Sequence, residues 1–261
     1  MSSTPNHTLL ELHDVSLAFG GLQAVERVSF RVPQGAVKAV IGPNGAGKTT
    51  LFHLVSGFLA PQQGRIVFQG EDIQGLPAHV IARRGIARTF QLVQLFEHMT
   101  VLENVMVGRH RLSRAGLLAG ALQLPRTRAE EHDIHSRSLE ALEFVGLAAY
   151  AAQSAAVLPL GLKRLLEIAR ALASAPSLLL LDEPASGLDP VETEKLKEMI
   201  LALKDKGLTI LLVEHDMGLT MEVADEIAVL NYGKLIADGP PRAIQKNPEV
   251  IAAYLGTDWQ A

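Results

Sequence analysis

Apolar and polar residues along the chain follow two periods, one of two residues that is typical of strands and one near 3.6 that is typical of helices. The first stretch alternates at nearly every position and predicts an edge strand over Leu9–Phe19, followed by a Gly20-Gly21 turn. Shorter apolar runs between turn residues predict more strands: Val28–Val32, Ala36–Ile41, Arg65–Phe68, Leu178–Leu181, Leu208–Val213, Ile227–Leu230 and Lys234–Ala237. Because helical patterns separate many of these strands, we predict an α/β protein with a mostly parallel core sheet.

The N-terminal and middle parts of the chain depart from this regular alternation. Arg65–Phe68, with a glycine on either side, predicts a short strand that joins the first strands in an N-terminal antiparallel β layer. Helical patterns dominate residues 91–172, including a helix over Thr127–Val145 with Gly146 as its C-cap. We therefore predict a single domain over residues 9–256, with a helical subdomain inserted at about 91–172 and tails at 1–8 and 257–261.

Capping and turn residues indicate where several of these elements begin and end. Asp189 and Pro190 are typical of an N-cap and a first helical residue, and Glu192 can complete a capping box with Asp189. Gly207 ends that helix before the next buried strand. Asn231-Tyr232-Gly233 separates two short strands and predicts a hairpin.

The composition excludes several classes of protein and site. The chain of 261 residues has no cysteine, which excludes disulfides, thiolate zinc sites and cysteine nucleophiles. Its net charge of −4 argues against a protein that coats DNA, because phosphate contacts require an excess of basic residues. No apolar run approaches the roughly 18 residues of a membrane-spanning helix. Residues 1–8 are polar, which predicts a cytosolic protein, although a mean hydropathy of +0.20 is high for one that stands alone.

A glycine-rich segment between a predicted strand and a predicted helix carries the strongest chemical signal. It comprises Gly42, Pro43, Asn44, Gly45, Ala46, Gly47, Lys48 and Thr49, with Thr50 next, and it satisfies the phosphate-binding loop pattern. The glycines allow backbone N–H groups to point at phosphate oxygens, and the N-terminus of the helix adds a favourable dipole. Lys48 would contact the outer phosphates and the Thr49 hydroxyl would bind Mg²⁺. The alternative is a glycine-rich turn that binds nothing, which the register of strand, loop, lysine and hydroxyl disfavours.

Two acidic residues follow the most apolar strand of the chain. Leu178–Leu181 is a continuous apolar run, typical of a strand covered on both faces, and Asp182 and Glu183 come directly after it. We expect Asp182 to hold the Mg²⁺ shell, directly or through water, and Glu183 to polarise an attacking water. Alone, such a pair would more often belong to a helix cap. Together with the phosphate-binding loop, it indicates a catalytic pair.

With these motifs, the chain from about Leu9 to Gly256 resembles the ATP-binding subunit of ATP-binding cassette (ABC) transporters. The resemblance implies a P-loop NTPase fold, ATP and Mg²⁺ as ligands, and ATP hydrolysis. It further implies that Phe19 stacks on adenine, that Gln91 senses Mg²⁺ and contacts the membrane subunit, and that His215 contacts the γ-phosphate. A loop that bridges two subunits is implied at Ser186, Gly187, Leu188 and Asp189. Each of these residues taken singly could be ordinary packing, but their order around the two nucleotide motifs favours the family.

The family's signature loop corresponds to Leu158–Arg164, and here the chain departs from the family pattern. The family normally has serine and then glycine where this chain has Pro159 and Leu160, before Gly161. In the family, that serine caps a helix and donates to the γ-phosphate held by the opposite subunit, whereas proline has neither a hydroxyl nor an N–H. Gly161 and the helix N-terminus leave a backbone anion site possible. We therefore expect a heterodimer in which the site completed by Pro159 is the slower one.

Within the family, the chain is similar to the ATPases of branched-chain (hydrophobic) amino acid importers. The similar segments are Gly20–Val25, Gly85–Gln91, Met99–Val105, Glu214–Met217, Asn247-Pro248 and Ala253–Gly256. This resemblance implies a second ABC ATPase subunit, two membrane permease subunits and, indirectly, an external solute-binding protein as partners, with no nucleic acid. It implies a peripheral place on the cytoplasmic face of a bacterial inner membrane.

Three alternatives stay open at this point. The cargo could be different, such as urea, amides or an exported lipid. The chain could also be a low-activity regulatory cassette, which the Pro159 loop favours. A soluble ABC-type ATPase that acts on nucleic acid or ribosomes is the third, although such proteins usually have tandem cassettes, long insertions or zinc-binding cysteines.

Overall fold

The computed structural model describes residues 7–91, 93–110 and 125–255, and the chain divides into two compact units. The first unit is Met1–Arg88, Ser177–Ala185 and Thr193–Ala261, and the second is Thr89–Pro176 and Ser186–Glu192. The predicted tail at 257–261 and residues 1–6 of the predicted tail at 1–8 lie outside the described residues. Within the described ranges, no helix is both long enough and apolar enough to span a membrane.

The secondary structure alternates between strands and helices over most of the chain. The strands are β1 (Thr8–Phe19), β2 (Leu22–Pro33), β3 (Val37–Ile41), β4 (Gln63–Phe68), β5 (Glu71–Asp72), β6 (Ile86–Arg88), β7 (Leu178–Asp182), β8 (Thr209–Val213), β9 (Glu226–Asn231) and β10 (Lys234–Gly239). The helices are α1 (Lys48–Val55), α2 (Ala78–Arg83), α3 (Val101–His110), α4 (Pro125–Phe144), α5 (Leu160–Ala173), α6 (Pro190–Asp205), α7 (Met217–Val223), α8 (Pro241–Ile244) and α9 (Pro248–Leu255). Short 3₁₀ turns cover Ala148–Tyr150 and Ala155–Val157.

An antiparallel sheet in the order β2-β1-β4-β5 forms one layer of the first unit, as predicted. The prediction that Leu9–Phe19 is an edge strand is wrong, because β1 pairs with β2 on one side and with β4 on the other. Its alternation has another cause: one face, with Leu10 and Leu12, is buried while the other is more open. Antiparallel sheets commonly cover only one face in this way, so alternation alone does not indicate an edge.

A six-stranded sheet in the order β10-β9-β3-β8-β7-β6 forms the second layer of this unit. Every neighbouring pair is parallel except β9 with β10, which confirms the predicted mostly parallel sheet and the predicted hairpin. Val213 lies beside Val40 of β3 and beside Asp182 of β7. The carboxyl ends of β3, β7 and β8 therefore meet at one edge of the sheet.

Alternate residues of β3 point into two apolar clusters on opposite faces of the six-stranded sheet. Val40 belongs to a large cluster that also contains Phe52 of α1 and Leu180 of β7. Ile41 belongs to a smaller cluster that contains Val250 of α9. Because both faces are covered, the central strands carry continuous apolar runs, as predicted for Leu178–Leu181.

The second unit is helical, and α3, α4 and α5 pack against one another. The predicted helix over Thr127–Val145 is confirmed as α4, with Ile134 and Leu142 buried and Gly146 at a φ of +75° after it.

The predicted capping box at the start of α6 is also formed. Asp189 N donates to Glu192 Oε2 at 3.1 Å, and Glu192 N donates to Asp189 Oδ1 at 2.8 Å. These reciprocal bonds satisfy two backbone donors at the helix N-terminus and fix where α6 begins.

Candidate functional site

The phosphate-binding loop connects β3 to α1 and is held by contacts from two other elements of the first unit. Gly47, the N-cap of α1, has a φ of +101°, and a Cβ there would collide with the carbonyl oxygen of Ala24. Gly233, in the turn between β9 and β10, donates its N–H to Ala46 O at 3.0 Å. The loop is therefore braced by β2 on one side and by the hairpin on the other.

Lys48 lies almost buried inside this loop, with 5% of its surface exposed. Its Nζ donates to Gly42 O at 2.7 Å and to Pro43 O at 2.9 Å. Burial lowers the pKa of Lys48, and the nearby carboxylates of Glu183 and Asp182 oppose that shift. The cation is thus placed between the loop backbone and the predicted acidic pair, where it can exchange carbonyl acceptors for phosphate oxygens.

Asp182 ends β7 and is paired with Arg88, a residue that the sequence analysis did not single out. Arg88 Nη2 donates to Asp182 Oδ2 at 2.7 Å, and Nη1 donates to Ser56 Oγ at 2.8 Å. The guanidinium also lies 5.7 Å from the ring centres of both Phe52 and Phe58. A cation held in this way fixes the orientation of the carboxylate. The only sequence signal for it was its place just before Thr89-Phe90-Gln91.

Glu183 and His215 lie side by side at the same sheet edge. His215 Nε2 is 2.9 Å from Glu183 Oε1, and the side chains are 42% and 13% exposed, respectively. Glu183 N donates to Val213 O at 2.8 Å, and the residue has a φ of +48°, which is unusual for a residue with a Cβ. A carboxylate and an imidazole at this distance can share a proton and orient a water molecule.

Glu214, between β8 and His215, is a further buried carboxylate that the sequence analysis quoted only as family wording. Its oxygens accept hydrogen bonds from the backbone N–H groups of Ala185, His215 and Asp216. Burial raises the pKa of Glu214, and these three hydrogen bonds oppose the rise. The only signal for Glu214 in the sequence is its place at the end of a predicted strand, directly before the candidate histidine His215.

The donor groups at this edge fit a magnesium ion bound together with phosphate. No group of three or more His, Asp or Glu side chains in the described ranges could hold a metal ion by itself. Thr49, exposed in the first turn of α1, and Asp182, buried at the end of β7, supply a hydroxyl and a carboxylate. Mg²⁺ commonly binds through one or two protein ligands, substrate phosphates and water. This donor set therefore suits an ion held chiefly by a nucleotide.

Phe19 and Gln91 lie in different units. Phe19 ends β1 in the first unit and is 46% exposed, so the residue is accessible for stacking. Gln91 is exposed in the second unit, and side chains of α5 form hydrogen bonds with the backbone on either side of it. Phe90 O accepts from Arg164 Nη1 at 2.9 Å, and Gln94 N donates to Glu167 Oε1 at 2.9 Å. Sequence reasoning missed both of these anchoring residues of α5.

The predicted signature loop and the predicted dimer-bridging loop meet within the second unit. Pro159 is the N-cap of α5 and makes no side-chain capping bond, and Leu160 is exposed. A Cβ on Gly161 would collide with the Glu192 carboxylate, and one on Gly187 would lie 3.0 Å from Leu160 Cδ2. Ser186, Gly187 and Asp189 are exposed and Leu188 is half-buried. The structure therefore places an uncapped helix N-terminus beside the exposed loop.

A cavity of about 250 Å³ separates the phosphate-binding loop from α9. It is lined by Pro43, Asn44, Ala46, Asn231, Tyr232, Ala252 and Ala253. Val250 anchors α9 in the same apolar cluster as Ile41, the residue before the loop. Burial raises the pKa of the Tyr254 phenol, and a hydrogen bond from the Gly42 backbone opposes the rise. The last helix thus reaches the first residue of the loop.

Comparisons with known proteins agree with this geometry. Residues 25–186 match the family model described as ABC transporter, and residues 234–259 match that of the branched-chain amino acid ATP-binding cassette transporter. The high-affinity branched-chain amino acid transport ATP-binding protein BraF of Pseudomonas aeruginosa is 47% identical over 249 residues, covering 95% of this chain and 98% of that protein. LivG of Escherichia coli K12, which carries the same description, is 44% identical over 95% of this chain and 98% of its own length.

Solved structures show the same likeness over nearly the whole chain. A nucleotide-free ATP-binding cassette from an ABC transporter is 31% identical, with a TM-score of 0.84 over 96% of this chain and 100% of that one. The ADP conformation of an ATP-binding cassette is 32% identical, with a TM-score of 0.84 over 96% and 99% of the two chains.

Proposed function

This chain belongs to the ABC transporter family, and we propose that it is the ATP-hydrolysing subunit of an importer for branched-chain or other hydrophobic amino acids. The observation that supports hydrolysis is one sheet edge that carries Lys48 in its loop and the Glu183–His215 pair 2.9 Å apart. The cargo class is supported by relatives of 44% and 47% identity whose names state it.

Binding of ATP begins with the phosphate-binding loop. Lys48 leaves the carbonyl oxygens of Gly42 and Pro43 and contacts the outer phosphates, while the loop backbone and the α1 N-terminus donate to the others. The exposed ring of Phe19 stacks on adenine. Thr49, Asp182 and Gln91 would hold Mg²⁺, which would neutralise charge on the phosphates.

Hydrolysis uses the pair at the ends of β7 and β8. Glu183 accepts a proton from the attacking water, and His215 orients Glu183 and the γ-phosphate. General-base catalysis of this kind contributes on the order of 10²- to 10⁴-fold in rate. Lys48 then stabilises the charge that develops on the transferred group, and ADP and phosphate are released.

A second cassette completes each nucleotide site in the proposed dimer. Pro159, Leu160 and Gly161 face the partner's ATP, and Ser186 to Asp189 bridge the two subunits. Because Pro159 supplies no hydroxyl and makes no capping bond, we expect a heterodimer in which the site that this chain completes for its partner is slower. We then expect Glu183→Gln to cost more turnover than the same change in the partner's glutamate. Equal losses from the two variants would contradict unequal sites.

Transport requires membrane partners that this chain does not supply. We expect two permease subunits to bind it at the cytoplasmic face of the inner membrane, and an external solute-binding protein to deliver cargo to those permeases. Closure of the cassette dimer on ATP would move the permeases, and hydrolysis would reset them. No nucleic acid takes part in this scheme.

Uptake into proteoliposomes that contain the chain with its permeases and second cassette tests the proposal. We expect ATP-dependent uptake of labelled leucine, lost in Lys48→Ala and in Glu183→Gln and kept in Lys195→Ala, which alters an exposed lysine of α6. Glu183→Gln should still bind ATP, whereas Lys48→Ala should not. Uptake of urea or acetamide in place of leucine would contradict the cargo class alone, and ATP hydrolysis that survives both variants would contradict the mechanism.

A further inference from the structure

Glu214 is the first residue after β8 and is 3% exposed, although its neighbour His215 is largely open. Both carboxylate oxygens are used. Oε1 accepts from Ala185 N at 2.7 Å, and Oε2 accepts from His215 N at 2.9 Å and from Asp216 N at 3.2 Å. A single side chain therefore ties the segment after β7 to the segment after β8.

These two segments carry the two reacting side chains. Ala185, which donates to Glu214, is two residues beyond Glu183. His215 itself donates its backbone N–H to Glu214. The Glu183 N–H also donates to Val213 O at 2.8 Å, so the two segments are joined on both sides of the Glu183–His215 contact. Hydrogen bonds to a carboxylate are shorter and stronger than those between neutral groups.

Burial of this carboxylate has a cost that stability alone does not explain. In the described part of the chain, Glu214 forms no ion pair with a basic side chain, and the neighbouring Asp216 is acidic. A buried charge without a cation carries a large desolvation penalty, and only its three donors offset that penalty. An apolar residue would fill the space at lower cost, but it could not hold two loops in register.

We propose that Glu214 is a positioning residue for ATP hydrolysis, which sets the distance between Glu183 and His215 by binding the backbone of both loops. This inference rests on the proposed function. Misplacing a reacting group by about 1 Å can cost on the order of 10²-fold in rate. The effect of losing Glu214 should therefore appear in kcat rather than in nucleotide binding, which takes place on the phosphate-binding loop.

A double-mutant cycle on the reconstituted transporter tests this role. Glu214→Gln keeps the shape of the side chain but places an NH₂ group where one oxygen now accepts. We expect kcat for ATP to fall about tenfold or more, with KM within twofold and Tm within a few degrees of the unaltered complex. In a His215→Ala background, the same change should cost less than twofold, because the geometry that it protects is already lost.

Two further variants keep the test decisive. Glu214→Asp retains the charge but is one methylene shorter, so it cannot reach both loops and should lower kcat in the same way. Glu222→Gln alters an exposed side chain of α7 and should leave kcat unchanged.

Equal losses from Glu214→Gln in the two backgrounds, or a loss under twofold in the unaltered background, would overturn the positioning role. Absence of turnover by the unaltered transporter would instead overturn the proposed function, and this inference with it.

Discussion

Arg88 and Asp182 form an ion pair of 2.7 Å in which the two side chains are only 6% and 2% exposed. Removing one partner of a buried pair leaves the other charge without compensation and typically costs about 3 to 5 kcal/mol. We expect Arg88→Met to lower the free energy of unfolding by about 3 kcal/mol in urea titrations. The double variant Arg88→Met with Asp182→Asn should recover part of that loss. A loss below about 1 kcal/mol would mean that the pair behaves like a surface ion pair.

Two opposite pH trends should arise from Lys48. Because burial lowers its pKa below 10.5, the unfolded chain binds more protons between the lowered pKa and 10.5, and the nucleotide-free chain gains stability as pH rises through that window. Affinity for ADP should fall over the same window, because a neutral amine does not attract phosphate. Calorimetric titration and urea unfolding measure the two trends. Lys48→Met should show neither trend from this group, and parallel trends in the unaltered chain would contradict the assignment.

Two glycines of the phosphate-binding loop should respond differently to alanine. A Cβ at Gly45 has nothing within 4 Å, so Gly45→Ala is destabilised only by the φ of +80°. We expect this backbone strain to lower the free energy of unfolding by about 1 kcal/mol. Gly47→Ala meets the backbone of Ala24, which cannot move aside as a side chain can. We expect it to cost at least 2 kcal/mol more than Gly45→Ala, on the scale of overpacked sites. Thermal unfolding of both variants checks the difference, and equal losses would exclude the close contact.

Tyr254 should contribute to nucleotide affinity from the far end of α9. Tyr254→Phe removes the phenol oxygen, whose pKa burial raises and the Gly42 backbone at the start of the phosphate-binding loop lowers. Since one hydrogen bond is worth about 0.5 to 1.5 kcal/mol, we expect ADP to bind about twofold to tenfold more weakly. Tyr150→Phe, in the second unit, is the matched control and should bind ADP as the unaltered chain does. Equal affinity of Tyr254→Phe and the control would exclude a role for α9 in binding.

The sequence was most informative where one physical requirement determines several residues at once. A phosphate-binding loop needs a buried strand, glycines, a lysine and a helix in fixed register. The strand Ala36–Ile41 was therefore predicted to within one residue, and so was the helix that begins after the loop. The capping box of Asp189 and Glu192 was predictable for the same reason. Local backbone geometry determines such features, and the spacing of residues along the chain reflects that geometry directly.

Residues whose role depends on distant pairing were not predictable. Arg88 and Asp182 are 94 positions apart, and Glu214 meets Ala185 across 29 positions. Neither contact has a signature in spacing, because each depends on which strands become neighbours in the sheet. The same limit explains the wrong edge assignment of Leu9–Phe19, since pairing partners and not alternation decide which strand is outermost.

The left-handed backbone of Glu183 has a consequence for protein engineering. A φ of +48° destabilises the folded state by about 1 to 2 kcal/mol when the residue has a Cβ, and glycine is free of this strain. A library of variants selected only for heat resistance should therefore enrich glycine or asparagine at this codon and discard the proton acceptor. A substitution of Glu183 that raises thermal stability would lower turnover. A thermostable version of the chain must therefore gain its stability at other positions.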